Sequence, residues 1–162
     1  MLSLFKKKYS IYDFFQQSLQ RVDKASMKIF CNETLKNLDR TWYHGDAYYD
    51  EYLKQIATIR YCLFLYNVSE NIEMKDKDWE YFASNLGEEL ISNFDCEKEY
   101  ELFDEVYELS IEEDHNLNDY LDCLKENFFK DNLSKKEYAW LGQCFHSYEE
   151  LEKKNLRRCK II

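Results

Sequence analysis

The chain has no proline and only three glycines, Gly45, Gly87 and Gly142, in 162 residues. An all-β fold needs turn residues at short intervals, so this shortage of breakers predicts long helices. Three isolated glycines also cannot form the G-x-G-x-x-G or G-x-x-x-x-G-K loops that cradle phosphates. The longest aromatic-aliphatic run, Tyr61 to Tyr66, is far too short to span a bilayer. No G-x-S-x-G, H-E-x-x-H or C-x-x-C is present.

Metal chemistry is short of ligands as well. Glu112-x-x-His115 has the spacing of half a di-iron carboxylate site, which needs a second Glu-x-x-His and two further Glu. Thr41 precedes His44 at that spacing and Gln143 precedes His146, so the partner motif is missing. No metal or cofactor is expected. Cys144 and His146 are two apart and point in different directions on a helix, so no local nucleophile–base pair stands out. The six Cys, at 31, 62, 96, 123, 144 and 159, read as reduced thiols packed as small hydrophobes, with a disulfide framework as the other reading. The opening Met1–Tyr9 has basic residues with no apolar run after them, unlike a signal peptide, so the expected location is the cytoplasm. Asn32, Asn67 and Asn132 match the glycosylation pattern, and in that compartment these are chance matches.

What the chain does have is 45% hydrophobic and 17% aromatic residues, enough for a packed core. No linker or low-complexity segment divides it, so residues 1–162 are expected to form one domain. Ser10-Ile-Tyr-Asp13 looks like a capping box with Asp in place of Glu, followed by a stripe of Ile11, Phe15, Ser18, Val22, Ala25 and Ile29. Asn32 is a candidate cap for a continuation with Leu35, Leu38 and Trp42 on one face. His44-Gly45-Asp46 reads as a turn with Asp46 as the next N-cap. Tyr49, Tyr52, Leu53, Ile56, Ile59 or Arg60, and Leu63 form the next stripe, ending in the all-round apolar Tyr61–Tyr66. Residues 67–77 read as a polar connection. Asp76 or Asp78 then opens a helix with Trp79, Phe82, Ala83, Leu86, Leu90, Ile91 and Phe94 inward.

A further segment spans about 97–110, with Tyr100 and Phe103 inward; 112–116 is a loop, and Leu117, Tyr120, Leu121, Leu124 and Phe128 share a helix face. Ser134-Lys-Lys-Glu137 is a true capping box before Tyr138, Leu141, Phe145, Tyr148 and Leu151. The predicted fold is all-α, a compact bundle of five to seven helices, with strands only as small additions.

Charge is where the sequence is most distinctive. Residues 70–126 hold twenty Asp and Glu against four Lys, while the flanking stretches are each slightly basic, for a total of −10. Glu97, Glu101, Asp104, Glu105 and Glu108 are spaced to share one helix face, and Asp119, Asp122 and Glu126 share another. Rows of this kind face solvent instead of converging on a pocket, and one reading is a solubilising surface. Such surfaces normally mix signs, however, and here Lys98 alone offsets the first row. A face that tolerates like-charge repulsion also suits a basic partner. The contact candidates are Glu101, Asp104, Glu105, Glu108, Glu112, Glu113, Asp119 and Asp122. Lys6–Lys8, Lys153, Lys154, Arg157 and Arg158 read as terminal decoration and helix-dipole compensation. With a net charge of −10, neither nucleic acid nor a membrane is an expected partner.

Small size, helical character, an acidic-aromatic face in Glu97–Glu126 and the lack of catalytic motifs resemble the bacterial toxin-immunity proteins, including those of contact-dependent growth inhibition. The resemblance is one of class and carries no family motif. It implies a non-enzymatic, stoichiometric inhibitor of a cognate toxin with a basic surface, a nuclease foremost. Carboxylates would take the place of phosphates in its cleft, and Tyr and Phe would supply the anchors. The alternatives are a helical adaptor, viral or phage-encoded, and an enzyme whose site is assembled from distant residues. The oligomeric state is left open by the sequence.

Overall fold

Tyr61–Leu65 is an aromatic-aliphatic run buried throughout, and the helix that carries it becomes the axis of the fold. The computed structural model describes residues 6–38, 47–101 and 134–162. In chain order these contain β1 (Lys7–Tyr9), α1 (Ile11–Val22), α2 (Lys24–Lys36), α3 (Ala47–Asn71), α4 (Asp76–Phe94), α5 (Lys135–Leu156) and β2 (Cys159–Ile161). The backbone is again helical over 97–101. The fold is all-α apart from β1 and β2, which pair in parallel with Lys7 opposite Cys159 and Tyr9 opposite Ile161.

Local chemistry sets the helix starts. Ser10 caps α1: its hydroxyl accepts the Asp13 N–H at 3.1 Å and donates to the Asp13 carboxylate at 2.8 Å. Ser134 and Glu137 form the reciprocal capping box that opens α5. Asp23 is extended (φ −65°, ψ 163°), and its carboxylate accepts the Ser26 N–H at 2.7 Å. It therefore ends α1 and caps α2 at once. The stripe expected to run unbroken from Ile11 to Ile29 is divided there. Ala25 and Ile29 turn outward, and Met27, Cys31, Thr34 and Leu35 carry the buried face of α2. Asn32, expected as a cap, lies in the middle of that helix. The expected turn at His44–Asp46 lies outside the described residues, as does Trp42.

α3 packs against α2, α4 and α5 and is buried almost all round between Ile56 and Leu65. It runs to Asn71, so the connection expected over 67–77 shrinks to residues 72–75. Asn67 points into the core, because α3 continues past the apolar run. A fully buried side chain cannot accept a glycan. α4 buries Phe82, Leu86, Leu90 and Phe94, with Trp79, Ala83 and Ile91 partly buried beside them, as the spacing predicts.

Two aromatic clusters lock the helices. Phe82 takes Phe14 at 5.2 Å and Trp79 at 6.2 Å between ring centroids, joining α1 to α4. Phe30 takes Phe145 and Tyr148, each at 5.6 Å, joining α2 to α5. The expected α5 stripe holds for Leu141, Phe145 and Tyr148 but fails at Leu151, which is exposed. Glu152 is buried in its stead, because Arg21 of α1 reaches its carboxylate at 2.5 Å.

Candidate interaction surfaces

Acidic side chains project from α4 and from the residues on either side of it. Glu73, Asp76, Glu80, Glu88, Glu89, Asp95, Glu97 and Glu101 are all exposed. Among the described residues 70–101, Asp95 alone has an ion-pair partner, Lys54 at 3.9 Å, and the Asp95 carboxylate is almost fully solvated. The exposed acids of α4 therefore face water.

The next helical stretch is aimed by two local devices. Asp95 closes α4 in the left-handed conformation (φ 50°, ψ 48°), with its N–H donating to the Ile91 carbonyl at 2.8 Å. Asp tolerates that region better than most residues do. Tyr100 then lies across Gly87, where a Cβ would come within 2.9 Å of the Tyr100 hydroxyl oxygen. The bare helix backbone at Gly87 lets the ring approach α4 and tilt against Tyr61 at 5.9 Å. Gly87 thus helps to set the direction in which residues 97–101 leave α4.

Of the eight contact candidates, Glu101 is placed, and it is exposed at the start of that stretch. Asp104, Glu105, Glu108, Glu112, Glu113, Asp119 and Asp122 lie outside the described residues, as do His44, His115 and Cys123. Among the described residues no group of three or more His, Cys, Asp or Glu is arranged to hold a metal, and no helix is long and apolar enough to cross a membrane. The described cysteines are free thiols. Burial pushes the Cys31 thiol up to about 12 and also raises Cys96, Cys144 and Cys159, the reverse of what an activated nucleophile needs.

On the opposite charge, β1–β2 pairing does something that neither terminal segment foretells alone. The Lys7 N–H donates to the Arg158 carbonyl at 2.7 Å, so Lys6, Lys7 and Lys8 come alongside Arg158 and Lys160. All five are exposed.

A third surface is an open groove of about 700 Å³ between α2 and α5. Phe30, Tyr148 and Trp140 line it, and Ile29 (65% exposed) and Leu151 (57%) stand on its two walls. The Trp140 indole N–H donates to the Thr34 carbonyl at 2.9 Å and ties α5 to α2. Arg60 of α3 also reaches the groove. Its guanidinium carbon lies 4.7 Å from the Phe30 ring centre and 4.6 Å from that of Tyr148. Its terminal nitrogens donate to the Ser26 and Arg21 carbonyls at 3.1 and 3.2 Å, where α1 gives way to α2. Burial first, and then the charge of Glu152, raises the Tyr148 pKa against the opposing pull of Arg60 and Arg21. Sequence spacing puts Ile29 and Leu151 on buried stripes and so misses this groove; both are exposed because the Asp23 cap and the Glu152–Arg21 bond redirect those faces.

No family model, curated protein or solved structure matches this chain.

Proposed function

We propose that this protein is an immunity-type inhibitor that binds a cognate toxin domain through its acidic, aromatic-bearing helical surface. The observation that carries the reading is the set of exposed carboxylates on α4 and at 97–101, which among the described residues make no ion pair apart from that of Asp95 with Lys54. Such a set raises the encounter rate with a basic surface, and salt should weaken it. Held on helices, it presents charge at fixed spacing and loses little entropy when it docks. The toxin it suits is one whose own substrate is anionic, such as a nuclease.

The test is affinity capture of the tagged protein from its native cells at low salt, followed by a high-salt wash and mass spectrometry. One stoichiometric partner with a basic domain should be released by salt, and its activity should fall when this protein is added back. Glu101→Lys combined with Asp104→Lys and Glu108→Lys should weaken that inhibition at least tenfold. Undiminished inhibition by the triple variant would remove the acidic surface from the interface.

A further inference from the structure

We propose that the groove between α2 and α5 seats an amphipathic, acidic helix of a partner protein. This does not rest on the acidic-surface reading, since the groove is built from other helices and opens onto a depression lined by cations.

Length comes first. The groove is lined from Ser26 on α2 to Asn37 at its C-cap, and from Trp140 to Leu151 on α5. At the rise of an α-helix this is a trough of about 16 Å, or three turns of a docked helix. It is open along its course and not closed around a ligand, which suits the helix-in-groove mode better than enclosure of a small molecule.

Apolar chemistry comes second. Ile29 and Leu151 are large aliphatic side chains left more than half exposed, with Phe30, Tyr148 and Trp140 between them. Apolar residues at i, i+3 or i+4, and i+7 of a visiting helix would cover this strip.

Charge decides the rest. Arg60 has no ion-pair partner among the described residues, and its Nε is buried without a hydrogen bond. Leu151 belongs both to this groove and to the neighbouring depression formed with Lys154, Arg157 and Arg158. Those three cations are exposed and make no ion pair among the described residues, whereas Lys153 is already held by Glu149 at 2.6 Å and Glu150 at 3.8 Å. The opposing acids are Glu33 on the α2 wall and Glu150 at the depression. An apolar strip that runs out onto unpaired cations fits a helix whose exposed end carries Asp or Glu.

The experiment is a selection of displayed random peptides of about 16 residues, long enough to span the trough as a helix. The full chain and its Ile29→Asp/Leu151→Asp double variant are screened in parallel. Both substituted positions are exposed, and circular dichroism confirms that the variant folds. The expected peptides have apolar residues at three- and four-residue spacing and an excess of Asp and Glu. They should bind the double variant, and separately Arg157→Glu/Arg158→Glu, about tenfold or more weakly. The proposal is overturned if no peptide is enriched, if enriched peptides carry no acidic excess, or if they bind both variants unchanged. It is also overturned if sedimentation shows a dimer that the double variant abolishes, which would make the groove a self-interface. Co-purifying fatty acid in native mass spectrometry would overturn it in favour of a lipid site.

Discussion

Glu152 on α5 and Glu88 on α4 are the same residue type in the same bundle, yet the fold treats them in opposite ways. Glu152 is buried and bonded to Arg21, so it acts as a strut between α5 and α1. Glu88 is exposed and has no ion-pair partner among the described residues. What separates these two carboxylates is that a cation on another helix, Arg21, reaches Glu152, while among the described residues none reaches Glu88. Deleting the partner of a buried charge leaves an ion that neither water nor protein solvates, whereas altering an exposed one mainly changes the field.

Arg21→Ala tests the strut most severely. Because Arg21 is itself over a third exposed, water softens the loss. The expected cost is about 2–3 kcal/mol in urea unfolding, below the full penalty for orphaning a buried charge. A cost under about 0.5 kcal/mol, the range of ordinary surface changes, would place Glu152 with the solvated acids of α4.

Asn67 sharpens the contrast from the neutral side. Its amide is fully buried in α3, and neither its oxygen nor its nitrogen has a hydrogen-bond partner. Asn67→Leu should raise stability by about 1 kcal/mol, since an unmet polar group is exchanged for an apolar one of similar size. Thermal unfolding measures this, and a lowered Tm would mean that the amide is satisfied in solution.

Asp23 is an exposed carboxylate that does have structural work, as the cap between α1 and α2. The Ser26 backbone N–H, then its hydroxyl, hold the Asp23 pKa below its ordinary 3.8. A group lowered on folding contributes its stability above its unfolded pKa and loses it as pH falls through the folded value. Asp23→Ala should therefore cost about 1 kcal/mol at neutral pH, and the gap to the wild type should close in acid. Urea titrations at both pH values read this directly.

The smallest effect belongs to the α4 acids. Glu88→Lys with Glu89→Lys should shift stability by less than about 0.5 kcal/mol while raising the net charge by four. Any large destabilisation would show that these carboxylates hold the fold together.

The contrast between α4 and α5 also marks how far the sequence could be read. The α4 stripe, both serine caps and the burial of Tyr61–Leu65 follow from local spacing, and the structure has them. Leu151 and Glu152 come out in the reverse order because the decision is made 131 positions away, at Arg21. The break at Asp23 is missed for a related reason. Its flanking residues continue a plausible helical period, and only the capping bond to Ser26 with the Arg60 contacts behind it selects two helices over one. The acidic surface is visible as composition. The groove is not, since it arises where α2 and α5 part, and that separation has no local signature. Seven of the eight contact candidates lie outside the described residues, so Glu101 alone among them has a structural position.

The short β1–β2 pair has a consequence for how the chain finds its fold. Lys7 and Cys159 are joined across about 150 intervening residues. Closing so long a loop costs far more entropy than three residues of parallel pairing can recover by themselves. The pair can form only after helix packing has brought its strands together, and so it should assemble late and open early. Protection of the Lys7 amide from hydrogen exchange would then report completion of the whole bundle, making this three-residue strand a sensor of native topology.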